Sequence, residues 1–134
     1  MPFFSSPEEV YEYIGGVFRA AAEHPEVGPK MAAADITLQM YYADPPSKLT
    51  VNFKEPKLEV VDDHEDTAAD VKLYMPADLA DKYWRGEYNL AVGLAKGQVK
   101  AKGPVNKILK LVPLTRPLFP IYKEKVADKD AALA

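Results

Sequence analysis

The chain has 134 residues, no cysteine and a formal net charge of −3, and 48% of its residues are hydrophobic. This size and composition are ordinary for one globular domain, and we expect residues 1–134 to form a single domain. The lack of cysteine excludes disulfides, thiolate metal sites and thiol catalysis. No signal-peptide pattern and no window apolar enough to span a membrane occur, so we expect a cytoplasmic protein.

The first predicted element is a helix that begins after Ser6. A hydroxyl side chain, then Pro7 and two glutamates, is the usual start of a helix, because each of them suits the unpaired N–H groups of the first turn. Apolar residues recur every three or four positions as far as Ala21, and Pro25 ends the pattern. A short second helix is predicted within residues 27–34, interrupted at Gly28 and Pro29.

Four segments with alternating apolar residues follow. They cover residues 35–40, 49–54, 57–61 and 70–75. Alternation is typical of strands with one buried face, and the short turns between the first three predict antiparallel pairing.

The rest of the chain is predicted to be mainly helical. Residues 76–85 begin with proline and stop at Gly86, and a short helix starts after Asn89. A fifth strand is predicted over residues 98–102, and helices follow, whereas 127–134 is expected to be a frayed tail. The predicted fold is α+β, with a five-stranded, mostly antiparallel sheet whose one face is covered by helices.

Several kinds of chemistry lack the residues that they need. His64 lies among four acidic residues in a short connection, without the ligand spacing of a defined metal site, and we interpret it as a solvated turn. No nucleophile motif, glycine-rich nucleotide loop or P-loop is present. Basic residues interleaved with aromatic ones on strands are absent too. We therefore expect no catalysis, no metal, no cofactor and no nucleic-acid partner.

An excess of apolar side chains marks residues 109–122, where three prolines exclude one regular helix. Three interpretations stay open: ordinary core packing, the lining or lid of an apolar cavity, and a contact in a homodimer. The charge of the same region is distinctive, because residues 88–126 carry eight basic side chains and one acidic side chain. This asymmetry indicates either a solvated lysine-rich face or a local preference for anions.

The chain resembles the sterol carrier protein type-two family. The resemblance rests on Ala69–Met75, on Trp84–Glu87 with Asn89, and on the glycine-bounded segment Ala95–Gly103. Membership would imply a five-stranded sheet with helices that enclose an apolar tunnel for sterols, fatty acids or fatty acyl-CoA. The chain differs from the family at Leu90, where a proline is frequent, and in the prolines of its last helices.

From the residues and the resemblance together, our hypothesis is a protein without catalytic activity that binds or transfers a hydrophobic lipid in an internal apolar cavity. The predicted lining residues are Phe18, Leu73, Tyr83, Trp84, Leu94, Ile108, Leu111, Leu114 and Phe119. The residues predicted to attract an anionic head group, a CoA phosphate or an acidic membrane surface are Lys96, Lys100, Lys107 and Lys110.

Two alternatives belong to other classes of function. The first is an accessory domain that docks a lipid-metabolism enzyme through the proline-rich apolar segment. The second is an enzyme on a lipid-like substrate, with Asp70, Asp78 or a tyrosine as acid or base. The second alternative predicts a buried carboxylate inside the cavity with a perturbed pKa.

Overall fold

The computed structural model of the chain describes residues 3–62 and 68–133. Its helices are α1 (Pro7–Glu23), α2 (Val27–Ala32), α3 (Ala77–Trp84), α4 (Leu90–Ala95), α5 (Val105–Thr115), α6 (Phe119–Lys125) and α7 (Ala127–Leu133). Its strands are β1 (Ile36–Ala43), β2 (Ser47–Phe53), β3 (Glu59–Asp62), β4 (Val71–Pro76) and β5 (Lys100–Lys102). No helix within the described ranges is long and apolar enough to cross a membrane.

The start of α1 follows the sequence prediction. The Ser6 hydroxyl accepts a hydrogen bond from the backbone N–H of Glu9 at 3.3 Å, and Glu9 in turn accepts from the N–H of Ser5. This reciprocal arrangement satisfies N–H groups that have no partner within the helix. In α2 the predicted interruption is wrong, because Pro29 lies in the first turn, where a missing N–H does not break the helix.

The strands form one sheet in the order β3-β2-β1-β4-β5. Three of the neighbouring pairs are antiparallel, whereas β1 and β4 run parallel, with Met40 beside Leu73. The prediction of a mostly antiparallel five-stranded sheet is confirmed. The parallel pair occurs because the chain leaves β1, forms two strands on one side of it, and returns to its other side.

The two faces of the sheet differ in chemistry. Ile36, Leu38 and Met40 point to the face on which the helices pack, and they belong to the hydrophobic core. The opposite face of β1 carries polar residues such as Gln39, whose amide donates to Thr50 Oγ1 at 3.2 Å. We refer to the first as the inner face and to the second as the outer face.

The outer face corrects one expectation from the sequence. Tyr41 and Tyr74 stack there with ring centroids 4.9 Å apart, and Lys72 and Lys102 lie over their rings. Aromatic and basic residues are therefore interleaved across strands. The sequence did not show this because the parallel pairing joins segments that are more than thirty residues apart.

The apolar C-terminal segment forms three helical pieces. Helix α5 contains Pro113, a 3-10 turn spans Arg116–Leu118, and α6 begins at Phe119 with Pro120 in its first turn. The prediction that the prolines exclude one regular helix is confirmed. The breaks allow Leu118 and Tyr122 to be fully buried beneath α1 and α3.

The last helix lies where we expected a frayed tail. Arg85 holds Asp130 through two hydrogen bonds of 3.0 and 2.9 Å, and Lys129 pairs with Glu9 at 3.0 Å. These side chains connect α7 to α3 and α1. The sequence prediction missed the helix because its contacts are made with distant residues rather than within the tail.

Candidate functional site

An apolar cleft lies between the inner face of the sheet and the helices α3 and α5. Its walls come from β1, β4, α3 and α5, with contributions from α1, α2, β2 and α4. The lining residues are Phe18, Met31, Leu38, Met40, Tyr42, Phe53, Leu73, Met75, Leu79, Ala80, Tyr83, Trp84, Tyr88, Leu90, Ile108, Leu111, Val112 and Thr115. No charged side chain is among them.

The cleft is narrow, with a volume of about 70 Å³. Pockets for drug-sized ligands hold roughly 300–1,000 Å³, so the expected internal cavity is not present at the size of a lipid in this conformation. Trp84 lines the cleft, and its ring packs edge-to-face on Phe18 at 5.1 Å and on Tyr83 at 5.3 Å. Edge-to-face aromatic packing of this kind is itself stabilising.

The polar side chains of the cleft form hydrogen bonds. The hydroxyl groups of Tyr83 and Thr115 lie 2.7 Å apart, and Thr115 donates to the carbonyl of Val112 at 2.6 Å. Burial raises the pKa of Tyr83, although its hydrogen bond with Thr115 lowers it. These two hydroxyls are neutral at physiological pH. Tyr42 and Tyr88 add two further hydroxyls to an otherwise apolar lining, and they donate to Met40 Sδ at 3.2 Å and to Gln98 Oε1 at 2.8 Å.

The predicted lining residues divide into two groups. Those at the cleft are Phe18, Leu73, Tyr83, Trp84, Ile108 and Leu111. The other three lie elsewhere. Leu94 lines an open depression beside β5, and Leu114 is half-buried on α5. Phe119 packs edge-to-face on Trp84 but does not line the cleft. The role of all nine residues in lipid binding stays a prediction.

The prediction omitted most of the sheet's contribution to the cleft. Leu38, Met40 and Met75 line it, and the alternation of β1 and β4 had already placed these residues on the inner face. That signal was available in the sequence. What it lacked was the parallel pairing that brings β4 next to β1 beneath the same helices.

The four predicted lysines are all exposed but do not form one cluster around the cleft. Lys107 and Lys110 project from α5, whose buried residues Ile108 and Leu111 line the cleft. Lys96 follows α4 directly, whereas Lys100 lies beside Tyr74 on the outer face of the sheet. Lys107 and Lys110 lie on a helix that lines the cleft and Lys96 caps another, whereas Lys100 lies on the opposite side of the sheet.

The carboxylates proposed for the enzyme alternative have structural partners. Asp70 accepts from the N–H of Thr37 at 2.8 Å, and Asp78 accepts from the N–H of Phe3 at 2.9 Å. Neither lines the cleft. Both are therefore occupied in holding backbone groups at element ends.

Asp81 is the buried carboxylate that sequence reasoning missed. It accepts from the hydroxyl of Tyr122 at 2.7 Å and from Nε of Arg85 at 2.9 Å, and it does not line the cleft. Burial raises the pKa of Asp81, while its bonds with Tyr122 and Arg85 lower it. Both carboxylate oxygens of Asp81 accept hydrogen bonds from protein side chains. This indicates a structural network that joins helices rather than an acid or base for a bound substrate.

The acidic cluster around His64 lies outside the described residues. Within residues 3–62 and 68–133, no group of three or more His, Cys, Asp or Glu side chains is arranged to hold a metal ion.

Comparison with known proteins identifies relatives of this fold. The model of the SCP-2 sterol transfer family matches residues 18–116. No curated protein matches the chain.

Three solved structures share the fold at low sequence identity. The sterol carrier protein 2 of Yarrowia lipolytica, in its apo form, has a TM-score of 0.63 at 19% identity, over 77% of this chain and 87% of that one. The sterol carrier protein domain 2 of Helicoverpa armigera has a TM-score of 0.68 at 19% identity, over 87% and 94%. A UbiJ-SCP2 ubiquinone synthesis protein has a TM-score of 0.64 at 15% identity, over 84% and 96%.

Proposed function

Because the chain belongs to the SCP-2 sterol transfer family, we propose that it binds a hydrophobic lipid in the cleft between the sheet and α5 and transfers it without catalysis. The observation that carries the proposal is the lining, which holds no charged side chain and is almost entirely apolar. Sterols, fatty acids and fatty acyl-CoA are the ligand classes considered. The proposal also includes the cytoplasmic location expected from the sequence.

Binding requires the cleft to widen, because about 70 Å³ does not hold a lipid. Helix α5 is the element best suited to move, since only Ile108, Leu111 and Thr115 of its eleven residues are buried. Each buried aliphatic side chain contributes roughly 1.5–3 kcal/mol, so moving α5 outwards costs little in comparison with opening the sheet. Pro113 weakens α5 further, because it cannot donate to the carbonyl of Leu109.

Burial of the lipid compensates for the free energy that is lost when α5 moves outwards. Each buried CH₂ group contributes about 0.8 kcal/mol, so a few methylene groups offset the contacts that α5 loses. Displacement of α5 also brings Lys107 and Lys110 to the rim of the widened cleft. There they are suited to attract a carboxylate or a CoA phosphate, with Lys96 of the neighbouring helix end.

The test measures lipid binding directly. Native mass spectrometry of freshly purified protein is expected to show a co-purifying lipid, and titration with fatty acids or sterols is expected to change the fluorescence of Trp84 at the cleft. Ala80→Leu adds volume inside the cleft and is expected to abolish both signals. Ala91→Leu makes the same change on the exposed side of α4 and is expected to leave them intact. Equal binding by the two variants contradicts the proposal.

A second candidate function is an accessory role beside a lipid-metabolism enzyme, or in a homodimer, through the apolar C-terminal segment. The fold shared with a ubiquinone synthesis protein favours it, as does Leu109, an exposed leucine on α5. This candidate predicts a stable complex in a pull-down with no lipid in the purified protein. Leu109→Lys is expected to abolish that complex while leaving Trp84 fluorescence unchanged.

A further inference from the structure

The outer face of the sheet carries an ordered array of lysine and tyrosine side chains. The register across β2, β1, β4 and β5 places Lys48, Tyr41, Tyr74 and Lys100 in one row. The next row contains Lys72 beside Lys102. With strands about 4.8 Å apart, the first row spans roughly 14 Å across the sheet.

The tyrosines hold the lysines in place. The rings of Tyr41 and Tyr74 are almost parallel, with an angle of 11° between their planes. The ammonium group of Lys72 lies 5.9 Å from the centroid of Tyr41, and that of Lys102 lies 5.7 Å from the centroid of Tyr74. The cation–π attraction fixes the positive charges over the sheet rather than letting them extend into solvent.

These positive charges are not neutralised by the described part of the chain. Lys72, Lys100 and Lys102 form no ion pair with a carboxylate within residues 3–62 and 68–133. Glu59 points to the same face, but it belongs to β3, three strands away from Lys72. Among the described residues, the half of the outer face formed by β4 and β5 therefore carries three lysines, with one carboxylate nearby, that of Asp70, which accepts from the N–H of Thr37.

An apolar depression adjoins this positive surface. It lies beside β5, is bordered by Tyr74, Lys100 and Lys102, and includes Leu94 and Val105 in its walls. Positive charges next to an accessible apolar depression complement a surface that is anionic at its outside and apolar just below.

We propose that this part of the outer face, Lys72, Lys100 and Lys102 around the Tyr41–Tyr74 pair, docks the protein on the surface of an anionic lipid bilayer. A bilayer offers a plane of negative charge, and a lysine near it contributes a stabilisation of about 1 kcal/mol. The proposal does not depend on lipid binding in the cleft, because the two surfaces lie on opposite sides of the sheet.

Single-stranded nucleic acid fits the same face less well. Its bases bind proteins largely by stacking on exposed aromatic rings. Here each tyrosine ring is already packed on the other ring and lies under a lysine ammonium group. The arrangement therefore leaves charge rather than ring surface for a partner.

The experiment is co-sedimentation of the full chain with vesicles of phosphatidylcholine, with or without 30% phosphatidylserine. The wild type is expected to bind the anionic vesicles only, and less so as salt rises. The variant K72Q/K100Q/K102Q is expected to partition roughly 100-fold more weakly, since each lysine accounts for about a five-fold factor. The control K30Q/K82Q/K123Q removes the same charge from exposed helix positions and is expected to bind nearly as the wild type does.

Four results overturn the proposal: equal binding to neutral vesicles, no effect of the outer-face variant, an equal loss in the control, or binding to a single-stranded oligonucleotide but not to vesicles. A third variant, K96Q/K107Q/K110Q, tests whether the lysines near the cleft dock the membrane instead. Circular dichroism verifies that each variant is folded. Trp84 fluorescence, which reports on the cleft, separates failure of membrane docking from failure of lipid binding.

Discussion

The hydroxyl of Tyr122 donates a 2.7 Å hydrogen bond to Oδ1 of Asp81, and both side chains are buried. The bond joins α6 to α3. Arg85 donates hydrogen bonds to both Asp81 and Asp130 and so links this pair to α7. No buried side-chain polar atom within the described residues lacks a hydrogen-bond partner. This network holds the C-terminal helices on the side of α3 that faces away from the cleft.

Tyr122→Phe is expected to lower the free energy of unfolding by about 1–3 kcal/mol, because it leaves a buried carboxylate without one of its donors. Urea denaturation measures the change. Tyr88→Phe removes a hydroxyl that bonds to Gln98 at an exposed site, and its effect is expected to stay within about 0.5 kcal/mol. Similar losses in both variants would show that the network is not specially stabilising.

Glu9 is expected to make the fold less stable in acid. Burial raises its pKa, but hydrogen bonds from Ser5 and Lys129 outweigh burial, so the pKa lies below the ordinary value of 4.5. Since the folded pKa is depressed, the contribution is present above pH 4.5 and is lost as the pH falls through the folded pKa.

In Glu9→Gln, the free energy of unfolding is expected to fall less steeply between about pH 5 and pH 3 than in the wild type. Urea denaturation at several pH values measures the slope. Glu8→Gln, at an exposed position beside it, serves as the control. An unchanged slope in Glu9→Gln contradicts the expected role of the pair with Lys129.

Gly86 is expected to tolerate alanine less well than Gly97 does. Both have a left-handed backbone, with φ of +80° and +77°, which costs a residue with a side chain roughly 1–2 kcal/mol. At Gly86 the new methyl group would also lie 3.1 Å from the ring of Phe119, whereas Gly97 has open space.

Thermal or urea unfolding of Gly86→Ala and Gly97→Ala separates backbone strain from crowding. The difference between the two variants reports the packing of Phe119 on the end of α3. Equal destabilisation would mean that the ring moves aside without loss.

The lysines of α5 are expected to increase the association rate of anionic lipids. Stopped-flow Trp84 fluorescence should show that the on-rate of a fatty acid falls as the salt concentration rises, because salt screens exposed charges. An uncharged sterol should show no such dependence. In Lys107→Gln/Lys110→Gln the salt dependence for the fatty acid is expected to decrease, and an unchanged dependence rules out the role of these two lysines.

Much of the fold was predictable because its signals are local. The cap at Ser6, the alternation in β1 and the glycine after α3 each lie within a few residues of the structure that they specify. The candidate site was predictable only in part. Phe18, Trp84 and Leu111 were placed at the cleft, whereas Leu114 and Phe119 share the same apolar character but pack elsewhere. Apolar character alone does not tell a cleft wall from the packing behind it.

The sequence by itself determined the order of the elements up to α6 and the buried face of the strands, since both follow from periodicity along a short segment. Only the tertiary structure decided how much space remains beside Trp84, because that volume depends on aromatic side chains from α1, α3 and α6 packing together. It also decided that Tyr41 meets Tyr74 and that Asp81 meets Tyr122. Such contacts join residues more than thirty positions apart, and no local pattern records them.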